Sequence, residues 1–338
     1  MQISSDFIEI FSCKILSSFS CRVSIENREI AKFPAVFSIS GNRRFLCEMG
    51  LYVIIKRKGC VIKMKQIPIC DSHVHSNCSF DAQDSVDAIC AQAERLGLYA
   101  VTFTDHCEVP MYEKPDRSEF GDFKALLPQA VRQVRDAQKQ YKGRLRVYCG
   151  IELGEPLQDL TAAQKALALT EYDFVLCSLH NIKGERDFYW LSYDRNTVHD
   201  ILTRYFNELL CSVQWNGFDS LAHLTYPLRY IKKNGKMDVD LNDYSAQIDA
   251  ILRALIKNGK ALEVNTSGLR QEIGQTLPGE IVLRRFKELG GRYVTVGSDA
   301  HRCADLAKGI KEGYALLKKC GFTHYTVYEK HTPVEIAL

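Results

Sequence analysis

From residue 64 onward, short apolar runs rich in β-formers alternate with longer stretches whose apolar residues recur at helical spacing. The short runs predict strands over 67–73, 99–104, 146–151, 173–179, 220–223, 261–265 and 293–297. The longer ones predict helices over 84–96, 123–140, 197–213, 244–258, 279–289 and 303–319. In the first helix Val86, Ile89, Cys90, Ala93 and Leu96 share one face, Asp84 or Ser85 is placed to cap its start, and Gly97 follows its last turn. Asn258-Gly259 ends the fifth in the same way. Strand–helix alternation of this kind is the pattern of βα units on a parallel sheet. Seven units in one chain of this length suit a closed barrel better than an open sheet. An open sheet would be expected to carry a glycine-rich nucleotide loop after its first strand, where this chain has His73-Val74-His75.

Residues 1–63 lack this alternation. They carry 10 Lys+Arg against 5 Asp+Glu, a charge of +5, whereas residues 64–338 sum to −2. We expect 64–338 to be the barrel and 1–63 an N-terminal extension outside the native protein, which would then start at Met64. The alternative is a small extension that packs on the barrel. No apolar run approaches the roughly 18–20 residues of a bilayer span, so no membrane partner is expected. The charge of the main segment gives no electrostatic basis for a nucleic-acid partner. Thirteen cysteines without a regular framework, behind an N-terminus unlike a signal peptide, point to reduced thiols and a cytoplasmic location.

The chemistry gathers at the C-terminal ends of the predicted strands, where barrel enzymes build their sites. In order these ends carry His73 and His75 followed by Asp81, then His106, Glu152, His180, His223, the turn Asn265-Thr266-Ser267-Gly268-Leu269-Arg270, and Asp299 with His301. Six of the nine histidines fall there; His199, His324 and His331 do not. Residues two apart on a strand face the same side, so His73 and His75 can share a cation, as can Asp299 and His301. Nine imidazole and carboxylate donors exceed the needs of one tetrahedral ion. Two or three divalent ions with shared ligands are expected, and the nitrogen–oxygen mix suits zinc, manganese or iron better than calcium.

As a set, His73-Val74-His75, Asp81, Thr104-Asp105-His106, Gly150-Ile151-Glu152, His180, Ala222-His223, the Asn265–Arg270 turn and Ser298-Asp299-Ala300-His301 resemble the polymerase-and-histidinol-phosphatase (PHP) superfamily, in its histidinol-phosphate phosphatase branch. The resemblance covers about residues 66–325. It implies a distorted (β/α)7 barrel of the TIM type around a trinuclear metal centre. By motif position, one ion would take His73, His75, Glu152 and Asp299. A second would take Asp81, His106 and His301, and a third His180 and His223, with Glu152 bridging back to the first. The amidohydrolase barrels also open on His-x-His, but they tend to place a bridging lysine where this chain has His180.

Such a centre supports phosphate monoester hydrolysis, and the resemblance implies that the ester is L-histidinol phosphate, in histidine biosynthesis, the nucleophile being a hydroxide on the ions held by His73, His75, Glu152 and Asp299. The alternative is another small phosphate ester or diester. Arg270, Arg186 and Ser267 are the candidates to hold the phosphate, since a guanidinium matches phosphate bidentately. Acidic and aromatic residues of the loops at 108–120 and 183–193 (Glu108, Tyr112, Glu113, Asp187, Tyr189 and Trp190) are candidates for the ammonium and imidazole of the substrate. Cys78, Cys107 and Cys177 are read as packing residues.

Overall fold

The computed structural model describes residues 45–47, 51–53, 67–114 and 121–338. They belong to two units, Met1–Ile67 and Pro68–Leu338. In the first, β1 (Phe45–Cys47) pairs antiparallel with β2 (Leu51–Val53). The rest of the expected 1–63 extension, and its boundary at Met64, lie outside the described residues.

The second unit runs β3 (Cys70–Val74), α1 (Val86–Leu96), β4 (Ala100–Phe103), β5 (His106–Glu108), α2 (Phe123–Gln140), β6 (Arg146–Gly154), α3 (Leu160–Leu167), β7 (Phe174–Ser178), α4 (Thr197–Trp215), β8 (Ser220–Leu221), α5 (Leu228–Gly235), α6 (Ser245–Lys257), β9 (Ala261–Asn265), α7 (Glu280–Glu288), β10 (Val294–Gly297), α8 (Ile310–Lys319), β11 (His324–Glu329) and β12 (Thr332–Ala337). The seven predicted strands form one sheet in the order β3-β4-β6-β7-β8-β9-β10, parallel throughout. Its two ends meet past the strand tips. Asp299 N donates to His73 O (2.8 Å), His75 N donates to Ala300 O (2.9 Å), and Val74 bridges Ala300. The buried Asp71 carboxylate latches this seam by accepting from Ser298 N (2.8 Å), the Ser298 hydroxyl (2.5 Å) and Ala307 N (2.9 Å). The expected barrel is therefore present and nearly closed.

Its distortion lies at the second strand, which breaks at Thr104-Asp105. β4 pairs with Arg146–Cys149 and β5 resumes in the same register along Glu152–Gly154. Gly150 stands at the break, where a Cβ would lie 2.9 Å from Phe174 O and 3.0 Å from Phe103 O. Only glycine lets the backbones approach this closely.

Helices cover the outside with their apolar faces. In α1 the Ser85 hydroxyl caps Ala88 N (3.2 Å), Gly97 takes the left-handed conformation at φ 70°, and Val86, Ile89, Cys90 and Ala93 are buried. Ser85→Ala should lower stability by about 1 kcal/mol, read as a shift in denaturation midpoint with catalytic constants unchanged. The helix expected over 303–319 starts only at Ile310, because Gly309 at φ 81° interrupts the run and leaves a short 3-10 turn at Cys303–Asp305.

Inside the barrel, Phe174, Leu176, Ala222 and Ala261 pack with Tyr328 of β11. The β11–β12 hairpin thus plugs the end opposite the strand tips, with Tyr328 stacked on Phe174 and its hydroxyl donating to Asp219 O (3.2 Å). This apolar floor leaves the other end to polar side chains. Among the described residues no helix is long and apolar enough to cross a membrane.

Candidate metal centre

The strand tips converge. His73 Nε2 lies 3.0 Å from His75 Nε2 and 3.2 Å from Glu152 Oε2. His75 Nε2 lies 3.4 Å from both Glu152 Oε2 and Asp299 Oδ1. On one side, His301 Nε2 approaches Asp81 Oδ2 (3.1 Å) and His106 Nε2 approaches Asp81 Oδ1 (3.6 Å). On the other, His180 Nε2 and His223 Nε2 are 3.4 Å apart and lie 3.2 and 2.9 Å from Glu152 Oε1. Glu152 thus sits at the hub. One of its oxygens faces His73, His75 and His106, and the other faces His180 and His223. All nine residues expected as ligands meet in this one pocket, where the donor atoms gather as His75 with His106 and His301, His73 with His75 and Glu152, and His106 with Glu152 and His180.

Local backbone explains the aim. Asp299 sits in the left-handed region at φ 54°, just after β10. Aspartate tolerates this conformation better than most residues, and strain of this kind persists where surrounding contacts over-determine it. Here the hydrogen bond from Asp299 N to His73 O supplies that restraint. Asp105 does similar work beneath β3 by accepting from Ser76 N (2.7 Å) and from the hydroxyls of Ser76 (2.8 Å) and Ser79 (2.7 Å).

The donor set fits divalent cations. Burial opposes ionisation of Glu152 and Asp299, yet the surrounding imidazoles hold both carboxyls well below their usual range. Burial also disfavours charge on His73 and His106. The carboxylates override it, raising His73 (Glu263, Glu152, Asp299) well above its usual value and His106 (Glu152, Asp81) to about 9. His75, by contrast, is pushed down to about 3 by burial and by His106 and His301. The pocket therefore demands positive charge around ionised carboxylates. His106 Nδ1 makes the same point, since it is buried 3.0 Å from Glu152 Oε2 yet has no hydrogen-bond partner in usable geometry. Two facing Nε2 atoms at 3.0 Å likewise present donors to a shared point.

An outer layer of carboxylates backs these imidazoles. Glu108 meets His180 Nδ1 at 3.1 Å, and His180 with neighbouring groups holds its carboxyl down to about 2 against burial. Glu155, at φ 50°, accepts from His180 N (2.5 Å); burial and Glu108 push its carboxyl up. Glu263 Oε1 accepts from His73 Nδ1 (2.7 Å). Of these only Glu108 was singled out from sequence, and then for substrate. A carboxylate inside a strand was the available signal for Glu263 in β9, whereas Glu155, just past β6, offered none.

The residues expected at the phosphate divide. Ser267 donates to Asn265 Oδ1 (2.6 Å) and lies 3.3 Å from Asp299 Oδ2. Arg270 turns instead to the backbone, with Nη2 2.9 Å from Ser298 O, and so braces the turn that carries Asp299. Arg186 lies 5.1 Å from the Trp190 ring centroid on an exposed loop. Sequence reasoning missed Arg229. Its guanidinium is 8% exposed, lies 4.6 Å from the Tyr226 ring centroid and reaches within 3.7 Å of Asp299 Oδ2, while Nε and Nη2 lack hydrogen-bond partners. Of the loop candidates, Glu113 pairs at the surface with Lys124 and Lys165, and Asp187 accepts from Tyr189 N (2.6 Å). Residues 115–120 of the first loop lie outside the described set.

Comparison with known proteins agrees with this geometry. A probable histidinol-phosphatase from Thermotoga maritima is 32% identical over 76% of this chain and 94% of its own length. The histidinol-phosphatase of Lactococcus lactis subsp. lactis is 27% identical over 75% of this chain and 91% of its own. A crystal structure of histidinol phosphate phosphatase from Lactococcus lactis, complexed with zinc, L-histidinol and phosphate, covers 80% of this chain and all (100%) of that one, with a TM-score of 0.68 and 25% identity. Since the PHP domain pattern also matches residues 71–267, more than half of the sequence, the chain belongs to the PHP domain family.

Proposed function

We propose that this chain is a metal-dependent phosphatase that converts L-histidinol phosphate into L-histidinol and phosphate, a step of histidine biosynthesis. The observation that carries the reading is the hub at Glu152, whose two oxygens touch imidazoles of all three ligand groups. Beside it stands the buried Arg229, whose Nε and Nη2 make no hydrogen bond although Nη2 lies 3.7 Å from Asp299 Oδ2. The substrate follows from the relatives, one of which holds L-histidinol and phosphate together.

His73, His75, Glu152 and Asp299 would hold one ion, Asp81, His106 and His301 a second, and His180 and His223 a third. Bound there, zinc, manganese or iron supplies Lewis acidity toward the phosphoryl oxygens and lowers the pKa of water toward about 7. The remaining work belongs to the chain. Arg229 is positioned to hold phosphoryl oxygens through Nε and Nη2, and its place against Asp299 brings that phosphoryl group next to the ligand cluster. We assign this contact to Arg229 ahead of Arg270, which is engaged by backbone, and Arg186, which lies on the exposed loop. Ser267 can add a hydroxyl, and Asp187, whose carboxyl is pushed up by burial, can meet the substrate's ammonium. The −2 charge of residues 64–338 favours a small phosphate ester over nucleic acid, and the cysteine content supports the cytoplasm.

The test is phosphate release by the metal-reconstituted protein across a panel of phosphomonoesters and diesters. Histidinol phosphate should exceed the others by about 10⁴ in kcat/KM, the scale of discrimination expected when buried polar groups read the substrate. Equal rates across the panel would favour a broad phosphoesterase instead.

A further inference from the structure

We infer that Glu263 is a positioning residue for the metal centre. It fixes the ring of His73 and ties it to the strand that delivers His223. This rests on the metal-centre reading above and goes beyond it by assigning work to a residue that is not itself a ligand.

Glu263 lies in β9 and is 1% exposed. Its two oxygens serve different elements. Oε1 accepts from His73 Nδ1 at 2.7 Å, on β3, reaching over Gly297 of the intervening β10. Oε2 accepts from His223 N at 2.7 Å, past the tip of β8, and from Asn265 Nδ2 at 3.3 Å. Asn265 Nδ2 in turn lies 3.2 Å from Asp299 Oδ2. One carboxylate therefore contacts a donor of the first ligand group and the backbone of a donor of the third, and reaches Asp299 through Asn265.

The consequence for His73 is specific. A carboxylate is an acceptor, so the proton of the neutral ring resides on Nδ1 and the Nε2 lone pair turns to the pocket, where His75 and Glu152 lie. A carboxylate behind a ligating imidazole fixes ring orientation and raises ligand basicity. The packing is built around this contact. At Gly297 a Cβ would lie 2.3 Å from the His73 Cβ and 2.7 Å from Glu263 Oε1, so the position opposite admits no side chain. No cation other than the His73 ring lies within ion-pair distance of Glu263 among the described residues.

Two measurements test this, both on the full chain. In the first, wild type and Glu263→Gln are loaded with zinc alone and challenged with a chelator. The variant should release zinc at about 10- to 100-fold lower competing strength, while Glu263→Asp should give an intermediate value. Zinc retention equal to wild type in Glu263→Gln overturns the inference, whatever happens to melting temperature. Loss of zinc by the wild type as well would overturn the metal-centre reading along with it. In the second, histidine-selective ¹⁵N spectra of the zinc-loaded wild type, assigned with a His73→Gln variant, should show a slowly exchanging Nδ1–H on His73. A His73 ring protonated on Nε2 refutes the proposal without reliance on any variant at Glu263 folding well.

Discussion

Glu152→Gln should abolish turnover, with kcat/KM falling by at least about 10³-fold, and should leave the purified protein depleted in metal. The glutamine keeps the shape but removes the charge that His73, His106 and His180 surround. It also places an amide nitrogen, a donor, where an acceptor must face either Oε1's partners, His180 and His223, or Oε2's partners, His73, His75 and His106. Removing one partner from a buried charged set costs about 3–5 kcal/mol, so the metal-free variant should also melt earlier than metal-free wild type. Elemental analysis, phosphate release and calorimetry on the same preparations check the three outcomes. Near wild-type turnover with full metal occupancy would show that the hub is not where the reaction depends on it.

Arg229→Ala should leave the metal content intact and lower kcat/KM by about 10²-fold, which is about 2.7 kcal/mol at 1.36 kcal/mol per decade. The guanidinium carries a buried charge that lies 3.7 Å from Asp299 Oδ2 through Nη2, while Nε and Nη2 make no hydrogen bond, an arrangement that an incoming anion would complete. Arg229→Lys should recover only part of the loss, since an ammonium offers one point of charge in place of a planar fork. Inhibition by inorganic phosphate supplies an independent reading, and its inhibition constant should rise with Arg229→Ala. If Arg270→Ala raised that constant while Arg229→Ala did not, the phosphate contact would belong to Arg270 after all. With Arg270 on the carbonyls of Ser298 and Asp299, Arg270→Ala is expected instead to loosen the Asp299 turn and reduce metal retention.

Much of the architecture was legible because strands and helices alternate with distinct apolar periods. All seven barrel strands were anticipated, and β9 and α2 match to the residue. The elements that escaped are those whose local signal is weak. α3 and α5 are eight residues each, too short for a persuasive helical period. The β11–β12 hairpin turns through Lys330 and His331, both at positive φ (49° and 59°), so the Asn-Gly type of marker for such a turn is missing. β5 was missed, the expected strand ending at Thr104, because nothing in Thr104-Asp105 announces that a strand breaks and resumes in register.

The candidate donors were legible for another reason. Imidazoles and carboxylates placed at the ends of successive strands have one common destination in a parallel barrel, whatever the exact backbone. The surroundings of candidate phosphate-binding arginines were not legible, because a lone arginine carries no sign of its neighbours. Along the chain Arg270 stands out by its place in the turn and Arg229 does not, and only packing shows that one meets carbonyl oxygens and the other lies beside Asp299 with Nε and Nη2 not hydrogen-bonded. The sequence by itself determined the barrel and placed the nine candidate donors at its strand ends, since strand direction and alternation dictate where side chains emerge. The tertiary structure alone decided that Glu152 is the hub, that Glu263 stands behind His73, and that Arg229 faces the pocket, because hydrogen-bond satisfaction in a buried site depends on distances across strands far apart in the chain.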